Sequence, residues 1–533
     1  MSPAVDKCGQ VVAAKGARLT SLYPADALTL KGCNRTVRGL TTWPGDACAA
    51  ASVTRITVSS SGREGTTHMT SKRESTSPTP DADPASEDVA PETHQVTRKD
   101  VRTAVSSSTI GTSIEWYDFF LYGTAAGLVF DRLFFPTTDP VVGTLLAYAT
   151  FAIGFVARPL GGLVFGHLGD KVGRKRTLVT TMYIMGIATF LIGAVPTYDQ
   201  IGLWAPVILI VLRIAQGIAI GGEWGGAVLL SVEYAPKGRR GFYGSFPQMG
   251  IAFGLLMGTG AFTLLSVLMT EESFLAWGWR LAFFASIALV IVGIYLRSKI
   301  AETPAFRAAK ASVENLEQTV PLTQLLKNRV CRRHLLLGMG SRYAEGVSYN
   351  LWAVFLISFA TGTVGFASLD ILLSLMITSV VLAIFIPIWG RVSDAVPRRT
   401  VYSAGAVALA LLVFPAFQVI QTGSWILFTV TLVALLGIVH PMMYGPQAAF
   451  YAELFPAKNR YTGISLVYQM SGIIAGGLTP AILTYLLSSG GVNFALGYVV
   501  TTCVVTVVCT AAIRTRDVNA MNDDRDVVVE GNV

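Results

Sequence analysis

The chain has 533 residues, 52% of them apolar and 14% charged, with a mean hydropathy of +0.54; soluble domains carry about 25% charged residues. Soluble cores cannot hide that excess, so the length is spent on membrane spans of roughly 20 residues each. The formal charge of +8 does not point to nucleic acid, because the basic residues sit in short loops between apolar segments, where membrane orientation requires them.

Residues 1–104 are rich in Ser, Thr, Ala, Asp and Pro and hold no sustained apolar run. Such a segment cannot bury enough apolar surface to fold and is expected to be disordered. It also lacks the apolar core of an export signal. Met69 opens an ordinary polar leader, so residues 1–68 read as a misassigned start or a dispensable tail. Six cysteines (Cys8, Cys33, Cys48, Cys331, Cys503, Cys509) follow neither a metal-ligand nor a disulfide spacing. We expect no metal and no cofactor.

From Ser107 onward apolar segments recur near 108–130, 143–166, 177–196, 205–230, 243–268 and 280–298. After a long polar loop, six more lie near 335–360, 369–390, 400–421, 425–450, 463–488 and 492–513. Each is long enough to cross a hydrocarbon layer of about 30 Å. The expected fold is therefore an all-α integral membrane protein, with bundles at 105–298 and 335–513, a linker at 299–334 and a tail at 514–533. Basic residues concentrate in the second-to-third loop (Lys171, Arg174, Lys175, Arg176), the fourth-to-fifth (Lys237, Arg239, Arg240), the eighth-to-ninth (Arg391, Arg398, Arg399) and after the tenth span (Lys458, Arg460). The positive-inside rule then places both termini and the 299–334 loop in the cytoplasm of a multi-pass protein of the cytoplasmic membrane.

An internal repeat explains the even count. Gly166, Asp170, Arg174 and Lys175 are matched in register by Gly390, Asp394, Arg398 and Arg399; Gly173 is matched by Pro397. Glu233, Pro236 and Arg240 are echoed by Glu453, Pro456 and Arg460, again about 220 residues on. The chain reads as two parallel six-span halves, a design that places the substrate site between them near the midplane.

The stretch from Gly166 to Lys175 resembles the loop signature of the major facilitator superfamily, and its match is complete. Within that superfamily, several groups of residues resemble the metabolite:proton symporter family: Glu115, Trp116, Tyr117 and Asp118; Arg158 with Pro159; Arg213, Gln216 and Gly217; Gly221 to Gly226 around Glu223 and Trp224; and Trp277, Trp279 and Arg280. The resemblance runs from Val105 to Arg514. It implies twelve spanning helices in two pseudo-symmetric six-helix bundles and no enzymatic step. Carriers in that family take shikimate, α-ketoglutarate, citrate, and proline or betaine. The departure at Pro397 sets the second motif copy apart, so a symmetric gating role for it does not follow from the resemblance.

An ionised side chain at the bilayer centre costs at least about 2.5–3.5 kcal/mol on insertion scales, so each one should face a cavity or a partner. Glu115, Asp118, Arg158, Glu223, Arg342, Glu345 and His440 all fall roughly 7–10 residues from the same end of their helices, about 10–15 Å deep, and so define one layer. Glu115 and Asp118 lie three apart on one helix face; mutual repulsion suits a proton-coupling site, whereas pairing of one of them with Arg158 would be structural. Arg158 offers a planar fork for a substrate carboxylate, or a standing salt bridge to Asp118. By the resemblance, Arg213 links the proton site to substrate occupancy; a structural hydrogen-bonding role fits it equally. Arg342 and Glu345, also three apart, read first as mutually neutralising. His440 titrates near neutral pH if solvated, and is a satisfied core histidine otherwise. Tyr122, Gln248, Tyr349, Asn350, Trp352, Tyr444 and Gln447 are candidate cavity walls. Asp170, with Gly166 and Arg174, is expected to hold the loop side shut against a helix N-terminus or a basic residue of the other half.

The glycines at 221, 222, 225, 226, 250, 254 and 258 serve close helix approach. No Gly-Lys-Ser/Thr phosphate-binding string occurs, which argues against ATP-driven pumping and a nucleotide partner. The expected partners are protons, the lipid bilayer and a small organic acid or zwitterion moved by symport. An uncoupled facilitator or antiporter, or a transporter-like membrane sensor, stand as alternatives.

Overall fold

In lipid, every backbone polar group must be satisfied within its own segment, so apolar runs of this length become helices. The computed structural model describes residues 98–136, 139–172, 174–221, 223–236, 238–298, 325–456 and 460–514, together with 516 and 518. Within these ranges, nothing is said of the side chains at 98–100, 103–104, 140, 166–178, 230 and 296–298. All fall in one compact unit, Val89–Val533. The expectations for residues 1–97, 299–324 and 519–533 lie outside the described residues.

Twelve helical rods are present among the described residues: α1 (98–133), α2 (Pro140–Val172), α3 (Arg174–Ala194), α4 (Trp204–Glu233), α5 (Arg240–Leu268), α6 (Glu271–Tyr295), α7 (Arg329–Val364), α8 (Ser368–Ala395), α9 (Arg398–Ile420), α10 (Trp425–Glu453), α11 (Arg460–Gly490) and α12 (Val492–Ala512). Ten are long and apolar enough to cross a membrane by length and composition. The other two are α1, which carries Glu115 and Asp118 in its middle, and α3, whose described apolar part is Val179–Ala194. They form the two six-helix bundles expected of the sequence.

Lipid tails are as apolar as leucine, so helices in a membrane associate through close packing, and small residues permit it. On α2 and α4, Gly161 lies against the Ile218 carbonyl, Gly217 against that of Gly154, and Gly221 against that of Arg158. A β-carbon at any of the three would overlap a backbone oxygen. Gly250 and Gly254 on α5 seat Thr112 and Trp116 of α1 in the same way. Gly222 lies outside the described residues.

Between the bundles, α5 packs along α8, and α2 along α11. Phe155 of α2 enters a hollow over Gly472, Gly476 and Gly477 of α11, where the helix loosens into a π-helical stretch at Ile473–Leu478. Two more π-helical stretches, Leu351–Phe355 on α7 and Val433–Val439 on α10, immediately adjoin Asn350 and His440. Such widened turns recur at functional sites.

At the end bearing the Arg-rich loops, Asp394 of α8 caps the N-terminus of α5. Its Oδ1 and Oδ2 accept from the backbone N–H groups of Gly241 (2.7 Å) and Phe242 (2.9 Å). Arg398 donates to the same carboxylate (3.0 Å) and also pairs with Glu453. Gly390 lies against Ser245 and the Gly241 carbonyl, where a larger residue would hold α8 off. Arg460 reaches Glu233 across the bundles at 3.8 Å. At the opposite end, Tyr148 of α2 bonds Ser358 of α7 (2.7 Å). The bundles thus touch on both sides of the middle layer.

In the second motif copy Asp394 and Arg398 make these contacts with Pro397 serving as the N-cap of α9. For the first copy, the side chains of Gly166, Asp170, Arg174 and Lys175, and Gly173 altogether, lie outside the described residues.

Candidate functional site

The middle layer holds two small neighbouring cavities that share Trp116, Phe119 and Tyr468 as walls. Glu115, Arg158, Trp224 and Gln469 line the first; Phe155, Arg342, Glu345, Tyr349 and Asn350 line the second. Both lie where the two bundles meet.

Arg158 is 4% exposed. Its guanidinium lies 4.0 Å from the Phe155 ring centroid and 5.0 Å from that of Phe119, but stands in no ion pair among the described residues. The salt bridge to Asp118 that sequence spacing allows is not formed. Asp118 is 1% exposed, and neither carboxylate oxygen has a hydrogen-bond partner among the described residues. It lines neither cavity and is turned into the first bundle, where Arg213, Thr189 and Glu115 are its polar neighbours. There Arg213 donates to Gln216 (2.9 Å), Gln216 donates to Thr189 (2.7 Å), and the guanidinium lies 4.0 Å from the Tyr122 ring centroid. Tyr122 bonds Thr150 (2.6 Å) and also lies away from the cavities. Glu223 is buried on α4.

The second bundle is arranged differently. Arg342 Nε lies 3.2 Å from Glu345 Oε2, its Nη1 donates to the Tyr468 carbonyl (3.2 Å) and to Ser471 (3.3 Å), and its guanidinium covers the Tyr468 ring at 3.6 Å. Gln447 donates to the same Glu345 oxygen (2.9 Å). Gln248 of α5 donates to Gln447 (3.2 Å) and to the Tyr444 carbonyl (3.3 Å), and accepts from Trp224 (3.1 Å). These bonds form a polar chain across the bundle boundary. His440 sits between Tyr349 and Tyr444, its ring nitrogens without hydrogen-bond partners among the described residues.

Of the expected site residues, Glu115, Arg158, Arg342, Glu345 and Tyr349 share the cavity walls. Asp118, Tyr122 and Arg213 form a cluster within the first bundle, and Gln248 and His440 lie beside the cavities. Sequence reasoning missed Phe155, Tyr468 and Gln469. The Gly472, Gly476 and Gly477 cluster that receives Phe155 was the one signal for a close approach there.

Two family descriptions match the chain: "Sugar (and other) transporter" over residues 104–321 and "Major Facilitator Superfamily" over residues 345–527. The shikimate transporter of Escherichia coli is 39% identical over 393 residues, 73% of this chain and 88% of that protein. The chain belongs to the major facilitator superfamily. Among its metabolite-transporting relatives, the inner membrane metabolite transport protein YhjE of E. coli is 40% identical (73% and 88% covered), and the proline/betaine transporter of E. coli is 35% identical (73% and 78% covered). The superfamily fold is matched by the xylose transporter XylE of E. coli, with a TM-score of 0.59 at 15% identity over 78% of this chain and 98% of that one. The protein is thus a multi-pass membrane transporter and not an enzyme.

Proposed function

We propose that this transporter carries a small organic acid or zwitterion across the cytoplasmic membrane together with protons, by rocking of the bundles at 105–298 and 335–513 about the paired cavities. In this reading both termini and the 299–334 linker face the cytoplasm. One observation carries it: Arg158, a guanidinium that keeps its charge, faces a cavity between the bundles with no ion-pair partner among the described residues. A buried cation without a counter-ion is costly, and a carboxylate arriving with the substrate would relieve that cost. Asp118, buried without a hydrogen-bond partner among the described residues in the adjoining cluster, is the proton carrier, and Glu115, on the wall beside Arg158, responds to the substrate's charge. Relatives named for shikimate and for proline/betaine transport agree with a carboxylate-bearing solute. The latch at Asp394 holds the cytoplasmic side shut.

The test is uptake of labelled carboxylates and betaines into proteoliposomes, with and without an inward proton gradient, for the wild type, Arg158→Ala and Asp118→Asn. Gradient-dependent accumulation of one compound, abolished by both substitutions, is expected. Equal flux without the gradient would make the protein an uncoupled carrier.

A further inference from the structure

We propose that α7 and α12, where they meet at the Arg-rich end of the second bundle, bind the headgroup of an anionic phospholipid. Its phosphate would lie on Arg329, Arg332, Arg514 and Arg516, and its acyl chains along the apolar surface beneath.

The two helices run side by side. Arg333 donates to the Ala512 carbonyl (2.8 Å), Gly340 lies against Cys509, and the Ala344 N–H donates to Thr506 (2.9 Å). The first of these contacts joins two basic segments. Residues 325–336 and 504–518 carry six cations, Lys327, Arg329, Arg332, Arg333, Arg514 and Arg516, and a single acid, Asp517. Lys327, Arg329, Arg332, Arg514 and Arg516 are exposed and stand in no ion pair among the described residues; Arg332 donates to the Leu326 carbonyl (3.4 Å).

Membrane orientation calls for basic residues at one end of the bundle, but it does not require them to gather at one pair of helices. Arg398 and Arg460, at the same end, are neutralised within the fold by Asp394, Glu453 and Glu233. The cations of α7 and α12 are not. Arg329 and Arg332 also stand in the first turn of α7, where the helix dipole is itself positive. Cations held together there repel one another, and an anion among them removes the repulsion.

The surface beneath selects the kind of anion. Leu336 of α7 and Val504 and Val508 of α12 are 62%, 56% and 60% exposed, so acyl chains can lie against them directly below the arginines. A free phosphate would use the cations alone, whereas a phospholipid uses both. Guanidinium groups fork onto phosphate oxygens. In a zwitterionic lipid the headgroup's own ammonium opposes that approach, which favours a headgroup with net negative charge.

The test is native mass spectrometry of the full chain in detergent, titrated with dioleoyl phosphatidylglycerol or dioleoyl phosphatidylcholine. The wild type is expected to hold the first phosphatidylglycerol at least about tenfold more tightly than phosphatidylcholine. One basic residue beside an anionic headgroup is worth about fivefold, so Arg329→Gln/Arg332→Gln/Arg514→Gln/Arg516→Gln should weaken phosphatidylglycerol at least about tenfold and leave phosphatidylcholine unchanged. Lysine at the same four positions keeps the charge and should keep most of the preference. Arg391→Gln/Arg399→Gln, which neutralises exposed cations elsewhere at this end, should change nothing. The inference is overturned if the two lipids bind alike, if the Arg391/Arg399 variant loses as much as the quadruple variant, or if the quadruple variant keeps the wild-type preference. Displacement of the bound phosphatidylglycerol by millimolar inorganic phosphate would equally overturn it, by showing a site for free phosphate.

Discussion

The two bundles treat buried charge in opposite ways. In the second, Arg342 and Glu345 neutralise each other at 3.2 Å, and Gln447 and Ser471 add hydrogen bonds. In the first, Asp118 has no hydrogen-bond partner and Arg158 no ion pair among the described residues. Duplication gave both halves the same helices and the same loop motif, so the difference lies in side-chain partners and not in the fold. A carrier needs one wall that holds its shape and one that gains from its ligand. The neutral second bundle fits the first role, and the charged first bundle the second.

The largest effect should come from breaking the pair in the second bundle. Glu345→Gln leaves Arg342 buried without a counter-ion, a loss of roughly 3–5 kcal/mol when one partner of a buried pair is removed. The double substitution Arg342→Met/Glu345→Leu should recover most of it. In the first bundle, Arg158→Met removes a cation that has no pair to break, so its melting temperature should equal or exceed the wild-type value while uptake is lost. Thermal unfolding of the purified chain in one detergent compares all of them. Equal destabilisation by Glu345→Gln and Arg158→Met would erase the contrast between the bundles.

That contrast was only half legible in the sequence. Hydropathy and basic loops mark the spans, and the doubled Gly-Asp-Arg pattern marks the halves, because both depend on composition along one helix. Depth is legible too: residue count along a helix gives the layer in which Arg158, Arg342 and Glu345 were expected. Azimuth is not. Glu115 and Asp118, three apart, differ by about 60° around α1, which is enough to put Glu115 on a cavity wall and Asp118 against Thr189 and Arg213. Partner choice is likewise a property of packing. Nothing local says that Arg158 rests on Phe155, or that Phe155 is received by Gly476 on a helix more than three hundred residues later.

An intermediate effect is expected where the bundles meet at the Arg-rich end. Asp394→Ala removes two acceptors from the N-terminus of α5 and leaves Arg398 with Glu453 as its carboxylate partner, a loss of about 1–2 kcal/mol for a helix cap. That loss falls on the closed arrangement alone, so the population open at this end should rise about five- to thirtyfold. Thiol labelling of a cysteine placed at Ser245, in a chain whose native cysteines are replaced, reads that population. Unchanged labelling would mean that the α5–α8 packing, and not the Asp394 cap, sets the closed state.

The smallest effect tests whether the neutral and charged bundles are joined by the amide chain or only lie side by side. Trp224 belongs to the first bundle, stacks on Tyr468 of the second, and donates to Gln248, which passes the contact through Gln447 to Glu345. Trp224→Phe keeps an aromatic face for the stack and removes the N–H, leaving Gln248 Oε1 without that donor. One hydrogen bond is worth about 0.5–1.5 kcal/mol net, so stability should fall by no more than that. If the chain joins the bundles, the same substitution in a Glu345→Gln background should cost measurably less, since Gln447 is then free to rotate its amide and Gln248 to follow. Strict additivity of the two substitutions in a double-mutant cycle would show that the stack alone holds this contact, and that charge in the second bundle is not sensed by the first.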